Sequence, residues 1–321
     1  MIWVDASNDI GYGHASRCSA IFNTLCTKFE IEIASRYKET FNFFKKKCHF
    51  HQLPNSLELA QKQFLNLLNK SSPNIVITDF KYNFPPIFFQ NIKKTSNTLV
   101  CIENISSGMI YADMVLFPAL HFENEIMPED FSSKAIKQKV FHGADWVILR
   151  DDVLSQEKNQ NPDKNIVVTT GGSDPHQIFF KLWPIFEKLN IKCTFLAGES
   201  FQKYNTLPKD NINQKILPFS IPALNNSSIV ISTFGVTVLE SLFLNKVVFG
   251  ISHNKQDAKS SKKMEATYSN YFDLGFFADL TEENFKRVLL ILQKPQINNP
   301  KALIDGMGRE RLLDWLLKGV S

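Results

Sequence analysis

The chain has 321 residues, 44% hydrophobic and 21% charged, an ordinary globular composition long enough for two domains with separate cores. Its 36 basic and 32 acidic residues leave a net charge of +4. That is too little to argue for nucleic acid as a partner, whereas a small molecule bearing phosphates needs only a local positive site. Five scattered cysteines without a CxxC pair argue against a disulfide framework or a zinc ribbon and fit a reducing cytoplasm.

The N-terminus, Met1-Ile2-Trp3-Val4-Asp5, has no basic n-region, and no stretch approaches the roughly 20 apolar residues of a membrane span. A cytoplasmic location is expected. The 28 phenylalanines sit among many Asn, Lys and Ile residues and read as compositional drift.

In chain order, short apolar runs bounded by turn residues alternate with segments of helical period. Strands are expected at Ile2–Asp5, Glu30–Ser35, Ile75–Asp79, Thr98–Glu103 and Met114–Phe117, then at Asn165–Thr170, Lys192–Leu196, Ser228–Ser232 and Val247–Ile251. After His14, the residues Cys18, Ile21, Phe22 and Leu25 recur at helical spacing, as do Phe179, Leu182, Trp183, Phe186 and Leu189 after Pro175. Continuously apolar strands separated by helices indicate parallel sheets covered on both faces. The polar stretch 151–164 divides the two series and reads as a linker and a hinge. The expected fold class is therefore α/β, two doubly wound Rossmann-like domains facing a central cleft, one over 1–155 and the other over 156–321.

Four loops carry candidate chemistry. The turn Asp9-Ile10-Gly11-Tyr12-Gly13-His14 follows the first strand; glycines there let backbone approach a ligand, and free helix N–H groups favour an anion. Its spacing is not GxGxxG, so a dinucleotide is a poor fit. A neutral His14 at the helix start could act as general base, or could simply satisfy a helix-start hydrogen bond. The second loop, Thr169 to Pro175, contains Gly171, Gly172 and Ser173, with Ser173 or Asp174 expected as N-cap and Pro175 at the first helical position. It is either a phosphate seat or a well-capped turn.

The third loop, Thr233 to Glu240, opens a helix at Gly235 and presents Thr237 and Glu240. Glu240 lies in an apolar setting and is read either as a bidentate acceptor for two ribose hydroxyls or as a solvent-facing side chain. The fourth, Ser252-His253-Asn254-Lys255-Gln256, offers donors and acceptors suited to a sugar or a pyrophosphate. Cys48-His49-Phe50-His51 places two imidazoles on one strand face, but no third or fourth ligand is identifiable, and no metal is expected.

These pieces, in order, resemble the hydrolase of pseudaminic acid biosynthesis that cleaves UDP from UDP-2,4-diacetamido-2,4,6-trideoxy-β-L-altropyranose, and a wider set of spore-coat polysaccharide proteins. The matching residues are Ile10-Gly11-x-Gly13-His14-x-x-Arg17-Cys18, Gly143 through Leu149-Arg150, Gly171-Gly172-Ser173-Asp174-Pro175, Gly235-x-Thr237-x-x-Glu240, Asn254-x-Gln256 and Asp305-Gly306-x-Gly308-x-x-Arg311.

The resemblance implies a glycosyltransferase-B fold and UDP-sugar hydrolysis without metal or other cofactor. His14 would activate the attacking water, and Gly11, Gly13, Arg17, Asp79, Asn254 and Gln256 would contact the sugar end of the substrate. Gly171, Gly172, Ser173, Gly235, Thr237 and Glu240 would hold the nucleotide, with Glu240 on the ribose. The sequence departs from the family after Ile75–Asp79, where Asp79-Phe80-Lys81-Tyr82 replaces a typical Asp-His-Tyr. It departs again at Ile102-Glu103-Asn104, which replaces Ile-Asp-Asp. Both departures lie in the sugar domain, so a different amino-deoxy sugar stays open.

The alternatives are a UDP-sugar glycosyltransferase in surface polysaccharide assembly and a sugar-nucleotide binding module without catalysis. Phe41–Phe44 with Lys45–Lys47 would be the transferase's peripheral membrane patch; by charge pattern the run reads first as a solvated helix end.

Overall fold

The computed structural model describes residues 1–7, 10–44, 48–104, 106–120, 138–159, 163–198, 201, 208–292 and 304–320. Asp9, the basic run Lys45–Lys47 and 160–162 of the expected linker lie outside the described residues. The chain divides into two compact units, one formed by Met1–Arg150 with Gly306–Ser321 and the other by Asp151–Asp305. The C-terminal segment thus belongs to the first unit.

In the first unit, strands β1 (Ile2–Val4), β2 (Glu32–Ser35), β3 (His49–Gln52), β4 (Ile75–Asp79), β5 (Thr98–Ile102), β6 (Met114–Phe117) and β7 (Val140–His142) form one sheet in the order β3-β2-β1-β4-β5-β6-β7. Every neighbouring pair is parallel. Helix α1 (Gly13–Leu25) leads from β1 to β2, while α2 (Leu57–Ser71) and α3 (Pro86–Thr95) flank β4.

Period-two alternation sends Trp3 to one face and Ile2 and Val4 to the other. Trp3 is fully buried beneath the rings of Phe64, Phe80, Phe84 and Phe88, with centroids 4.7–5.9 Å away. Much of the phenylalanine excess is therefore spent on this core, where each ring removes a large apolar area from water. The opposite face takes Cys18, Ile21, Phe22 and Leu25 of α1, together with Leu312 and Leu316 from the C-terminal helix.

The second unit contains β8 (Asp163–Thr169), β9 (Cys193–Ala197), β10 (Gln214–Pro218), β11 (Ser227–Thr233), β12 (Val247–Ser252) and β13 (Tyr271–Phe276), in the parallel order β10-β9-β8-β11-β12-β13. Its helices follow the short α4 (Asp151–Leu154): α5 (Ile178–Lys188), α6 (Ile221–Asn226), α7 (Val236–Phe243), α8 (Lys255–Thr267) and α9 (Glu282–Leu292). Phe179, Leu182, Trp183 and Phe186 on α5 bury against Phe195 of β9 and Phe285 of α9, as their spacing requires. The two doubly wound parallel sheets expected from the pattern are present.

The final helix, α10 (Gly308–Val320), explains why the chain returns. A Cβ on Gly308 would stand 2.3 Å from the Val147 carbonyl oxygen, so glycine is required for the close approach. Arg311 Nη1 donates to the Asp145 carbonyl at 2.8 Å. The paired sequence pieces around Gly143–Arg150 and Asp305–Arg311 thus form one structural clasp. The phenylalanines of the patch that a transferase would use are likewise turned inward: Phe44 is buried, Phe41 packs on Phe50, and Phe43 stacks on Tyr12. Among the described residues no helix is long and apolar enough to cross a membrane.

Candidate active site

In both sheets the strand order reverses direction once, between β1 and β4 in the first unit and between β8 and β11 in the second. Outside the carboxyl ends of such strand pairs, connections leave toward opposite faces and open a crevice where ligands bind. All four candidate loops leave from carboxyl ends of strands, at or next to these reversals.

In the first unit the loop from Ser7 closes on itself through Gly11 N–H to the Ser7 carbonyl at 2.8 Å. Gly11 has φ +88°, a left-handed conformation that a side chain would strain. Gly13 begins α1, and no side chain caps that terminus. His14, Arg17 and Cys18 then fall at i, i+3 and i+4, on one helix face, and all three converge on Asp79 at the end of β4.

The His14 Nδ1 lies 2.7 Å from Asp79 Oδ1. Arg17 donates from Nη2 to Asp79 Oδ1 at 2.7 Å, from Nε to Oδ2 at 2.9 Å, and from Nη1 to Glu103 Oε1 at 2.6 Å. The Cys18 thiol donates to Asp79 Oδ2 at 3.3 Å. Arg17 Nη2 also stands 3.1 Å from His14 Nδ1, but a guanidinium N–H is only a donor. The shorter contact to a carboxylate assigns the proton to Nδ1, leaving the lone pair on Nε2.

Asp79 is inaccessible and Arg17 is 5% exposed. Burial alone would raise the Asp79 carboxyl, but the Arg17 charge and the hydrogen bonds from His14 and Arg17 win and hold it below the usual range. Burial likewise opposes the charge on Arg17, and the Asp79 and Glu103 carboxylates overcome it and raise its pKa. Glu103 is lowered for the mirror-image reason, chiefly by Arg17 and then Lys81 acting against burial. Beside Asp79, the buried Cys18 thiol is pushed well up and stays protonated.

Arg17 and Asp79, both expected to touch substrate, thus form a buried network that holds the His14 ring. Glu103 was visible in the sequence only as a departure from a family pattern. Asp79 pairs with Ile102 across β4 and β5, so Asp79 and Glu103 leave adjacent strand ends and share one arginine. Glu103 itself has φ +50°, a conformation costly for a non-glycine residue and held here by the ion pair. The neighbouring departure, Asn104, donates to the Phe80 and Tyr82 carbonyls and ties the two loops together.

A second buried network lies beyond β1 and was not expected. Asp5 accepts from the Arg36 backbone N–H at 2.8 Å, Arg36 Nε at 2.7 Å and the Tyr82 hydroxyl at 2.9 Å. Only the position of Asp5 at the end of the switch-point strand could have signalled it.

The second unit has a different character. Gly171 has φ +78°, and a Cβ there would lie 3.7 Å from Thr237 Oγ1, so the loops after β8 and β11 meet. A Cβ on Gly198, after β9, would overlap Gly171 and Gly172 backbone at 2.3–2.6 Å. Gly172 and Ser173 continue the turn, and Gly235 precedes α7 without a side-chain cap.

The helix after this loop does not start at Pro175 as expected. Gln177 N–H bonds the Asp174 carbonyl, making a turn with proline at its second position, and α5 begins at Ile178. Asp174 reaches forward to cap it, accepting from the Ile178 and Phe179 N–H groups at 2.8 and 3.0 Å.

Glu240 lies one turn into α7 and is 2% exposed, which excludes the solvent-facing reading. Asn254 is the N-cap of α8: it accepts from the Asp257 N–H at 2.8 Å and donates to the Asp257 carboxylate at 2.9 Å. Gln256 is exposed in the first turn of that helix. The imidazole pair on β3 is claimed otherwise, since His51 Nε2 meets Glu32 Oε2 at 2.8 Å. Among the described residues no group of three or more His, Cys, Asp or Glu side chains could hold a metal.

No protein-family profile and no curated protein matches the chain. Solved structures do. MurG of Acinetobacter baumannii superposes with TM-score 0.67 at 12% identity, over 99% of each chain. The UDP-GlcNAc 2-epimerase of Methanocaldococcus jannaschii, solved with UDP-GlcNAc and UDP, gives 0.63 at 14% identity, again over 99% of each chain. A glycotransferase of kitacinnamycin gives 0.63 at 10% identity, over 99% of this chain and 98% of that one. At these identities the likeness is one of fold.

Proposed function

We propose that the chain is an enzyme acting on a UDP-linked sugar, and specifically that it hydrolyses a UDP-linked amino-deoxy sugar to UDP and free sugar. This would be a cytoplasmic step toward a nonulosonic acid of the pseudaminic type. The observation that carries the catalytic reading is the Asp79–His14 pair beside the β1–β4 reversal, in which the carboxylate holds Nδ1–H and leaves Nε2 basic.

In this reading a water oxygen attacks the anomeric carbon while its proton passes to His14 Nε2. The bond from that carbon to the diphosphate oxygen breaks, and UDP leaves with the electron pair. Asp79 stabilises the imidazolium as it forms, and Glu103 offsets the positive charge of Arg17 nearby. Gly11 and Gly13 admit the sugar close to backbone, and Asn254 and Gln256 contribute its remaining polar contacts. The turns at Gly171–Ser173 and Gly235–Thr237 take the diphosphate, whose charge their free N–H groups offset without a metal. Glu240 takes the ribose hydroxyls.

Two further readings draw on the structural neighbours, one a named glycotransferase and another a UDP-GlcNAc 2-epimerase. Here the base would activate an acceptor hydroxyl or take part in epimerisation. The test is to incubate the protein in EDTA with UDP-2,4-diacetamido-2,4,6-trideoxy-β-L-altropyranose, and separately with UDP-GlcNAc, with and without an added acceptor. UDP and free sugar without acceptor, lost in His14→Ala, is the expected result. UDP formed only with acceptor supports transfer, an epimeric UDP-sugar supports epimerisation, and binding without turnover returns the protein to a binding module.

A further inference from the structure

Along the carboxyl edge of the second sheet, two accessible loops carry buried polar atoms with no hydrogen-bond partner: Thr170 Oγ1 after β8 and His253 Nδ1 after β12. Such groups are scarce in folded proteins, because each gives up its hydration without replacement. These two are also close in the architecture. The rows Thr169–Ser232 and Thr233–Ile251 place the ends of β8 and β12 on either side of β11. Above them His176 of the first loop faces His253 of the second, with ring centroids 5.4 Å apart, and His176 stacks on Phe277 at 4.4 Å. The pair therefore brackets the loop containing Gly235 and Thr237.

From this arrangement we infer that Thr170 and His253 donate hydrogen bonds to the diphosphate of a nucleoside diphosphate, and that His253 is the principal polar contact of its loop. The inference rests on the proposed nucleotide role of the second unit. Asn254, the neighbour singled out by sequence, already spends its amide on capping α8. Among the described residues His253 makes no hydrogen bond, so its half-buried ring can turn about Cβ–Cγ and present Nδ1 to a ligand without breaking one. An anion suits the site.

The two carboxylates and two lysines around it balance in charge, and both carboxylates are already engaged by other donors. Asp174, on the loop of His176, is taken up by two helix amides. Lys181 donates to the Phe277 and Ala278 carbonyls, and Asp257 in the first turn of α8 is paired with Asn254. Lys255 begins that helix. Burial and the neighbouring His176 keep His253 neutral, with its pKa lowered to about 4, so it acts as a hydrogen-bond donor and not as a fixed cation.

The test measures binding of UDP and of uridine by calorimetry to the full chain and to His253→Ala, His253→Asn and Thr170→Val. His253→Ala is expected to weaken UDP about tenfold to a hundredfold, the worth of a hydrogen bond to a charged group, and to leave uridine nearly unchanged. His253→Asn keeps a donor near the position of Nδ1 and is expected to recover most of that loss. Thr170→Val is expected to weaken UDP while leaving the melting temperature of the ligand-free protein unchanged or higher, since an unpaired hydroxyl has been removed. A merely structural residue would lower both. If the wild-type chain binds UDP and the variants bind it equally, this inference fails alone. If the wild-type chain binds no UDP, the nucleotide reading fails and takes this inference with it.

Discussion

The two strand reversals are built on the same topology and finished in opposite ways. Next to the β1–β4 reversal the fold concentrates full charges and satisfies them completely: Arg17 spans Asp79 and Glu103, and His14 is locked to Asp79. Around β8–β11 it places glycines, uncapped helix amides and neutral donors, and leaves several of them without acceptors. A group that must keep one tautomer needs a rigid, prepaired environment, whereas a group that must receive an anion needs donors held in reserve. Under the proposed function this contrast divides labour between chemistry and binding.

The largest expected effect falls on chemistry alone. His14→Ala should lower turnover by about 10²–10⁴ with UDP affinity unchanged, and Asp79→Asn should follow it because the tautomer is no longer held. Loss of UDP binding in His14→Ala instead would erase the division. Next comes stability in the first unit. Arg17→Met leaves the buried Asp79 and the half-buried Glu103 without their shared cation, and equilibrium denaturation should show a loss of about 3–5 kcal/mol.

In the second unit, Glu240→Ala should weaken UDP by about 1.5–3 kcal/mol if its carboxylate accepts the ribose hydroxyls, and a folded variant with unchanged affinity removes it from the site. The pH dependence sharpens the same contrast. Unfolded His253 titrates near 6.5 and folded His253 near 4, so between those values the unfolded chain binds more protons and stability falls as pH falls. The difference between wild type and His253→Asn should therefore grow from pH 7 toward pH 4, by up to about 3 kcal/mol, and denaturation curves across that window measure it. The smallest effect is Asn254→Ala, which should cost about 1 kcal/mol of stability through loss of the N-cap, read as a lower melting temperature.

The nine strands expected from the apolar runs are the interior strands of the two sheets; of the edges, β3 was read as a strand only through its imidazole pair, and β7, β10 and β13 were missed. Interior strands are covered on both faces and so read as unbroken apolar runs. Edge strands such as His49–Gln52 and Gln214–Pro218 keep polar side chains facing solvent and lose that signature. In the site, the spacing of His14, Arg17 and Cys18 was legible because helix periodicity is local. Their partners were not, since Asp79 and Glu103 lie 62 and 86 residues from Arg17 and come together only through strand order.

The amino-acid sequence by itself therefore determined the alternation of strands and helices, the glycine turns at strand ends and the helix face that bears His14. These depend on contacts a few residues apart. Tertiary structure decided which carboxylates share Arg17, that the last helix joins the first unit, and that among the described residues His253, and not Asn254, is left with an unpaired ring nitrogen. Each of those outcomes is set by which chain segments become neighbours in space, and side-chain chemistry only then selects among them.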